Sequence, residues 1–302
     1  MRILISGASG MVGTAVGSAL RARGHDVNQF VRPGRTYSHG DVRWDPPSGS
    51  IDAKALEGTD AIIHLAGAGI GDARWSEARK KILRESRVNS ARILVDAIAS
   101  LRRKPRVLLA ASAVGYYGHR GDEVLGESSP NGNGFLAALA RDWEAESLRA
   151  EPIGLRVVLL RFGLILSSHG GALPKMVTPF RLGLGGRIGD GKQWVSWIAL
   201  EDVITVICAA LADAGFSGPV NIVSPAPVPN AEFTNTLARV LHRPAIFPVP
   251  AFALRLALGE MANELLLASQ RVVPAKLIEN GYQFRLPQLE PAFKSVLIDS
   301  RQ

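Results

Sequence analysis

Only one cysteine, Cys208, occurs in the 302 residues, so no disulfide can form within the chain. It lies in the apolar run VITVICAAL, where a lone thiol behaves as a small core residue. One thiol and six scattered histidines give no metal-ligand spacing, and no metal is expected. Long apolar runs are missing as well. The richest stretch, VPAFALRLALGEMANELLLA, is interrupted by Arg255, Glu260 and Glu264, which breaks a membrane span and reads as packed helix. No membrane partner is expected. The formal net charge of +8 would admit nucleic acid. Yet no basic run exceeds RRK at 102–104 and no nucleic-acid motif is present, so nucleic acid is not an expected partner either. Internal repeats and low-complexity segments are absent.

What is present is an ordinary globular composition, 47% hydrophobic and 21% charged. The opening MRILISGASG already reads as a strand and a glycine loop, so no targeting segment is expected ahead of the fold, and the expected location is cytoplasmic. Further strand candidates are DVNQFVR, AIIHLAG, RVLLAAS and LRVVLLRFG, with helices starting near Met11, Ser76, Phe135 and Glu201. Strands rich in Ile, Val and Leu, without alternation, point to a parallel sheet covered on both faces. The fold class is therefore α/β, doubly wound. After about Ser167 the texture changes to the glycine-rich SSHGGALPK and GLGGRIGDGKQ. From Val228 prolines at 229, 244, 248, 250 and 274 separate short helices.

The first strand is followed by GASGMVG, with Gly7, Gly10 and Gly13 at the start of a helix. Gly7 permits the tight turn, Gly10 lets backbone approach a pyrophosphate, and Gly13 lets the helix pack on the sheet. The helix N-terminus offers N–H groups and positive dipole to the phosphates. Gly7, Ser9, Gly10, Met11, Val12 and Gly13 are thus the expected dinucleotide contacts. The end of the second strand selects the cofactor. A carboxylate there would hold a ribose 2′-hydroxyl. The sequence instead reads QFVRPGR, with Arg32 and Arg35 and no acid. Arginines there suit a 2′-phosphate, although Arg32 is also explained as a solvated loop residue. The expected cofactor is NADP(H). Residues 1–166 then form the NADP(H)-binding Rossmann domain and 167–302 a smaller, mostly helical substrate lobe, with some elements returning to the sheet.

GASGMVG, HLAG at 64–67 and SAVGYYG at 112–118 together resemble the extended short-chain dehydrogenase/reductases, which epimerise, dehydrate or reduce nucleotide sugars and related carbonyl compounds. SRV at 86–88, RDWE at 141–144, FRLGLGG at 180–186, SWI at 196–198 and the run from NAEFTNTLARVLHRP to LIENGYQF are similar to the atypical "epimerase family" branch. The resemblance spans the chain and implies bound NADP(H) and a small-molecule substrate, and it admits a homodimer. It adds His64, Leu65 and Ala66 as cofactor contacts. It also adds Arg87, which a helix-surface salt bridge would explain equally well.

The resemblance fails at one place. The wider family carries a proton-transferring tyrosine and a lysine spaced YxxxK on a helix. None of the four tyrosines here, Tyr37, Tyr116, Tyr117 and Tyr282, has a lysine four residues on, and the matching helix positions hold Phe135 and Leu139. The family's serine or threonine falls on Ala113, with Ser112 one residue earlier, and a one-residue change in a strand turns the side chain to the other face. Ser112 and Tyr117 remain as catalytic candidates, Tyr117 doubling as an aromatic wall at the mouth of the cleft. Lys175 and Arg181, on the glycine-flanked loop, are candidate substrate contacts or plain surface charge. Arg161, at the end of VVLLRFG, is a candidate cofactor or substrate contact. Trp143 and Glu144 are expected to pack and pair on their helix, and Asp202 to cap or pair near the helix it opens. Ala199 stands where the branch often has histidine. Two readings follow: an NADP(H)-dependent oxidoreductase or epimerase acting on a carbonyl or sugar-type molecule, and a non-catalytic NADP(H) sensor.

Overall fold

The computed structural model describes residues 1–298. The RILIS run forms β1 (Arg2–Ser6), and the glycine turn passes the chain to α1 (Met11–Ala22). There follow β2 (Asp26–Val31), the short pair β3 (Val42–Asp45) and β4 (Ser50–Ile51), then β5 (Ala61–His64). Helices α2 (Glu77–Arg84) and α3 (Ser90–Ala99) are joined by a π-helical stretch, Glu85–Asn89, a local widening that recurs at functional sites. The centre is completed by β6 (Val107–Ala113), β7 (Val124–Leu125), α4 (Phe135–Leu148) and β8 (Arg156–Phe162). Beyond lie β9 (Leu164–Leu166), α5 (Leu173–Arg181), β10 (Trp194–Val195), β11 (Trp197–Ala199), α6 (Leu200–Ala212) and β12 (Gly218–Ile222). The last elements are β13 (Val228–Pro229), α7 (Asn230–Leu241), α8 (Ala251–Leu258), β14 (Arg271–Val272), α9 (Ala275–Glu279) and α10 (Leu289–Leu297).

The main sheet has eight strands in the order β12–β8–β6–β5–β1–β2–β3–β4, parallel except for β3 with β4. This is an α/β Rossmann-type sheet with a mostly helical C-terminal region. Both faces of the central strands β1, β5, β6 and β8 are buried, which is why they lack alternation. Ile3 and Ile5 of β1 pack with Leu109 and Leu160 against Val16 and Leu20 of α1 and Val203 and Val206 of α6. Leu4, Ile62, Leu108 and Leu159 face the other way, onto Leu94 and Ile98 of α3. Strand order reverses between β1 and β5, whose ends pair Ser6 with His64. A crevice opens at such a reversal, beyond the carboxyl ends of the strands.

Two pieces of this sheet are not evident in the sequence. The β3–β4 hairpin is broken by the turn at Pro46–Ser48, and β12 carries Gly218 and Pro219. Proline is tolerated there because β12 is the edge strand. The C-terminal lobe has its own core, in which Leu173, Val177 and Phe180 of α5 meet Phe233 and Leu237 of α7 and Phe293 of α10. Three ties anchor it. β14 pairs with β7. The fully buried Asp202 accepts from the backbone N–H groups of Arg285 at 2.8 Å and Leu286 at 3.0 Å. Glu264 accepts from Phe135 N and Leu136 N, each at 2.7 Å, capping α4 in place of its N-cap residue, Gly134, which has no side chain. Asp202 therefore holds a distant segment of backbone, and the expectation that it serves its own helix is corrected. No helix among the described residues is long and apolar enough to cross a membrane.

Candidate functional site

The crevice is built from its glycines. Gly7 has φ of 69°, and a Cβ there would stand 2.9 Å from the Leu65 carbonyl carbon; a Cβ on Gly13 would overlap the Gly7 carbonyl. Only glycine lets β1, the Leu65 turn and α1 come this close. Gly10 caps α1 with no side-chain bond, and the first turn holds no acidic residue. Gly10 N donates to Gly7 O at 3.0 Å, and the N–H groups of Met11, Val12 and Gly13 are left for an anion. Gly170 passes over the start of α1, where a Cβ would sit 3.4 Å from Met11 Cβ, so the 167–172 loop roofs this end of the groove.

At the end of β2 the residues Arg32, Pro33, Gly34 and Arg35 make a tight turn, with Arg35 N donating to Arg32 O at 3.3 Å and Gly34 at φ 77°. Proline then glycine suits a type II turn, which brings the two arginines to its two ends, both exposed. The nearby carboxylate, Asp41, is buried and committed, accepting from Gln29 N and Ser38 N at 3.0 and 2.9 Å.

His64 lies beneath the crevice and is 1% exposed. Its Nδ1 is 2.7 Å from Ser6 Oγ and its Nε2 3.2 Å from Ser90 Oγ. Ser6 Oγ already accepts from Leu65 N and Ala66 N, so the proton it has to give goes to Nδ1, and Nε2–H donates to Ser90. Burial pushes the imidazole down to about 4. The expectation of a cofactor contact at His64 is corrected for its side chain: the ring ties β1, β5 and α3 together, and the neighbouring Leu65 and Ala66 backbone forms the crevice edge.

Arg87 projects from the π-helical stretch, where the extra residue per turn aims it at the end of β5. It is 8% exposed, donates to Ala68 O at 2.9 Å and Leu83 O at 3.3 Å, and its guanidinium carbon lies 5.4 Å from the Trp143 ring centroid. No carboxylate pairs with it among the described residues, so it makes no surface salt bridge. Burial, and then the Arg79 cation, hold it down at about 10. A buried cation without a counter-charge beside a dinucleotide crevice fits an anionic ligand.

The expected catalytic residues lie elsewhere than the sequence suggests. Ser112 is buried and donates to Glu144 Oε1 at 2.6 Å. Glu144, from α4, pairs in fork geometry with Arg161 of β8, Nε to Oε1 and Nη2 to Oε2, both at 2.8 Å. Burial alone would push the Arg161 guanidinium down, and the pairing with Glu144 outweighs it and holds it up. Tyr117 is fully buried: its hydroxyl donates to Asn221 Oδ1 at 2.7 Å and accepts from Arg161 Nη1 at 2.9 Å. Burial raises its phenol despite the lowering pull of Arg161. Ser112, Tyr117 and Arg161 thus form one internal network, and each side chain is corrected from crevice contact to buried partner. The reason is register. β6 and β8 pair Ser112 with Arg161, so both point to the same side of the sheet, and Glu144 reaches them there.

At the positions of the missing pair, Leu139 is buried and Phe135 half-buried, edge-on to Trp75 with ring centroids 5.1 Å apart. Lys80 Nζ rests 5.4 Å from the Phe135 centroid and pairs with Glu260 and Glu77. Lys175 and Arg181 sit on helix α5, not on a loop. Six residues apart on a helix, they point about 120° apart, and Lys175 pairs with Asp72 at 3.4 Å, so the structure does not bring them together. Ala199 is buried in β11. Sequence reasoning missed the reach of Glu144 to β8, the Glu264 cap and Asn221; RDWE marked the first, and nothing in the sequence marks the other two.

Residues 3–222 match the model of the NAD dependent epimerase/dehydratase family, and residues 249–296 match a domain of unknown function, DUF1731. A similar curated protein is the epimerase family protein ML0860 of Mycobacterium leprae (strain TN), 44% identical over 283 residues, 93% of this chain and 91% of that protein. Among solved structures, human epimerase family protein SDR39U1 (isoform 2) with NADPH superimposes with a TM-score of 0.89 at 34% identity, covering 98% of this chain and 99% of that one. MoeE5 in complex with UDP-glucose and NAD, at 18% identity with a TM-score of 0.79 over 100% of this chain and 99% of that one, shares the fold.

Proposed function

Because the chain belongs to the NAD-dependent epimerase/dehydratase family of extended short-chain dehydrogenase/reductases, we propose that it is an NADP(H)-dependent oxidoreductase or epimerase acting on a carbonyl or sugar-type small molecule without a YxxxK pair. The observation that carries the cofactor choice is the turn at 32–35, which sets two exposed arginines at the end of β2 while the local carboxylate, Asp41, is committed to backbone. Two guanidiniums suit the dianionic 2′-phosphate of NADP(H), and no acid is present to receive a free 2′-hydroxyl. Two further features support the reading. The N-terminus of α1 carries no side-chain cap and would receive the pyrophosphate, and Arg87 is buried without a counter-charge. The relative that superimposes over nearly the whole chain holds NADPH.

When bound, NADPH supplies hydride to a carbonyl carbon. The chain's share is to fix the dinucleotide across the crevice, exclude water with the half-buried wall of Phe135 and Trp75, and deliver a proton. Arg32→Ala and Arg35→Ala test the reading by titration calorimetry. Each should weaken NADPH by about tenfold or more, the worth of one charge-assisted pair, with NADH affinity unchanged. Equal losses for both cofactors would remove the 2′-phosphate role. A second reading, a non-catalytic NADP(H) sensor, is favoured by one fact: the hydroxyls of Ser112 and Tyr117 are both spent inside the protein.

A further inference from the structure

Three of the four tyrosine hydroxyls are committed. Tyr37 donates to Asp41 O at 2.9 Å, Tyr117 to Asn221, and Tyr282 is bonded to Thr205 and Asp202. Tyr116 is different. It is half-buried, and its hydroxyl has no hydrogen-bond partner among the described residues and is not sealed from solvent. It stands in the 3₁₀ turn Val114–Tyr117 that follows the carboxyl end of β6, the side of the sheet where ligands bind. Its backbone is fixed, the carbonyl accepting from Gly132 N at 3.0 Å and Asn131 Nδ2 at 2.8 Å. Its ring lies over Arg161, whose guanidinium carbon is 3.6 Å from the ring centroid.

We propose that Tyr116 is the catalytic proton donor of this site, with Arg161 the positioning residue beneath its ring. The assignment rests on the reading above that the chain transforms a carbonyl compound with NADP(H). It gives the buried network a purpose. Glu144 grips Arg161 from one side in fork geometry, Ser112 and Tyr117 complete the shell, and the result is a positive charge that cannot swing away from the Tyr116 ring. A cation against the ring face is attracted to it, and more strongly as negative charge gathers on the phenol oxygen. In a reduction the carbonyl carbon takes hydride from the dihydronicotinamide, which is oxidised. The carbonyl oxygen takes the Tyr116 hydroxyl proton, leaving an alcohol and a phenolate, and water returns the proton. In the oxidative direction the same atoms run backwards.

Two arms test this on the full chain. In the first, tetranitromethane nitration is mapped by mass spectrometry with and without NADP⁺, added N-acetyltyrosinamide serving as the reference phenol. NADP⁺ should slow Tyr116 nitration at least fivefold more than that of the reference; equal rates with and without NADP⁺ would put the phenol outside the cofactor crevice and overturn the assignment. In the second, NADPH oxidation is followed with 4-nitrobenzaldehyde as the carbonyl probe. Tyr116→Phe should lower kcat at least 100-fold with NADPH affinity and melting temperature unchanged. Glu144→Gln, which loosens Arg161, should lower kcat with KM for NADPH unchanged, a split that mere structural damage would not give. Tyr116→Phe activity within threefold of wild type would overturn the assignment alone. Tight NADPH binding by the wild type with no oxidation would sink the enzymatic reading first, and the assignment with it.

Discussion

The buried His64 predicts a specific acid sensitivity. Its imidazole is held neutral down to about 4, against 6.5 for a free side chain. Between these values the unfolded chain takes up a proton that the folded chain refuses, so stability is complete above pH 6.5 and declines as pH falls toward 4. Integrated between pH 7 and pH 5, where carboxylates remain ionised in both states, the loss is about 2 kcal/mol. The structure explains why the ring refuses the proton. A hydrogen on Nδ1 would point at Ser6 Oγ, which has two backbone N–H groups to accept and only its own proton to give. Urea midpoints measured at pH 7, 6 and 5 would be compared with those of His64→Asn, whose amide oxygen can accept from Ser6 and does not titrate. The variant should start less stable and lose little on acidification, the difference between the two slopes being the His64 contribution. Parallel slopes would refute the argument, and so would a doubly protonated His64 ring at pH 6 by nitrogen NMR.

Two more outcomes follow from packing and capping. Gly13→Ala places a methyl group on the Gly7 carbonyl, so it should displace α1 from the loop and abolish measurable NADPH binding in calorimetry while circular dichroism keeps its helical signal. Glu264→Ala removes the carboxylate from Phe135 N and Leu136 N and should cost about 1–2 kcal/mol, read as a lower melting temperature and faster amide exchange at those two residues.

The sheet was legible where strands are long and buried on both sides. Apolar runs such as RILIS and VVLLR have no polar face to show, and their length and glycine punctuation marked them. β4 is two residues long and β12 begins with glycine and proline, so neither carries a signal above background; tertiary pairing makes them strands. The strand–glycine-turn–helix unit and the turn at 32–35 were legible because their demands are local: three glycines, a helix start and a Pro-Gly pair, all within about 35 residues of sequence. The chemistry was not. Tyr116 and Tyr117 are adjacent and identical in type, and only the turn after β6 decides which phenol is buried on Asn221 and which is left free. Ser112, Glu144 and Arg161 lie up to 49 residues apart in the numbering and meet through the pairing of β6 with β8, which no local pattern encodes.

The carboxylate of Asp202 has a temporal consequence. It sits fully buried with no salt bridge among the described residues, and it accepts from the backbone N–H groups of Arg285 and Leu286 and from the Tyr282 hydroxyl. A chain made from the amino end lays down the helix carrying Asp202 more than 80 residues before the groups that satisfy it exist. Until then that acid stays in water, since burying it unpaired costs several kcal/mol. Glu264 likewise reaches back 128 residues to cap the helix at Leu136. The backbone at 285 and 286 therefore has to be in place before the helix carrying Asp202 can settle into the buried position found here.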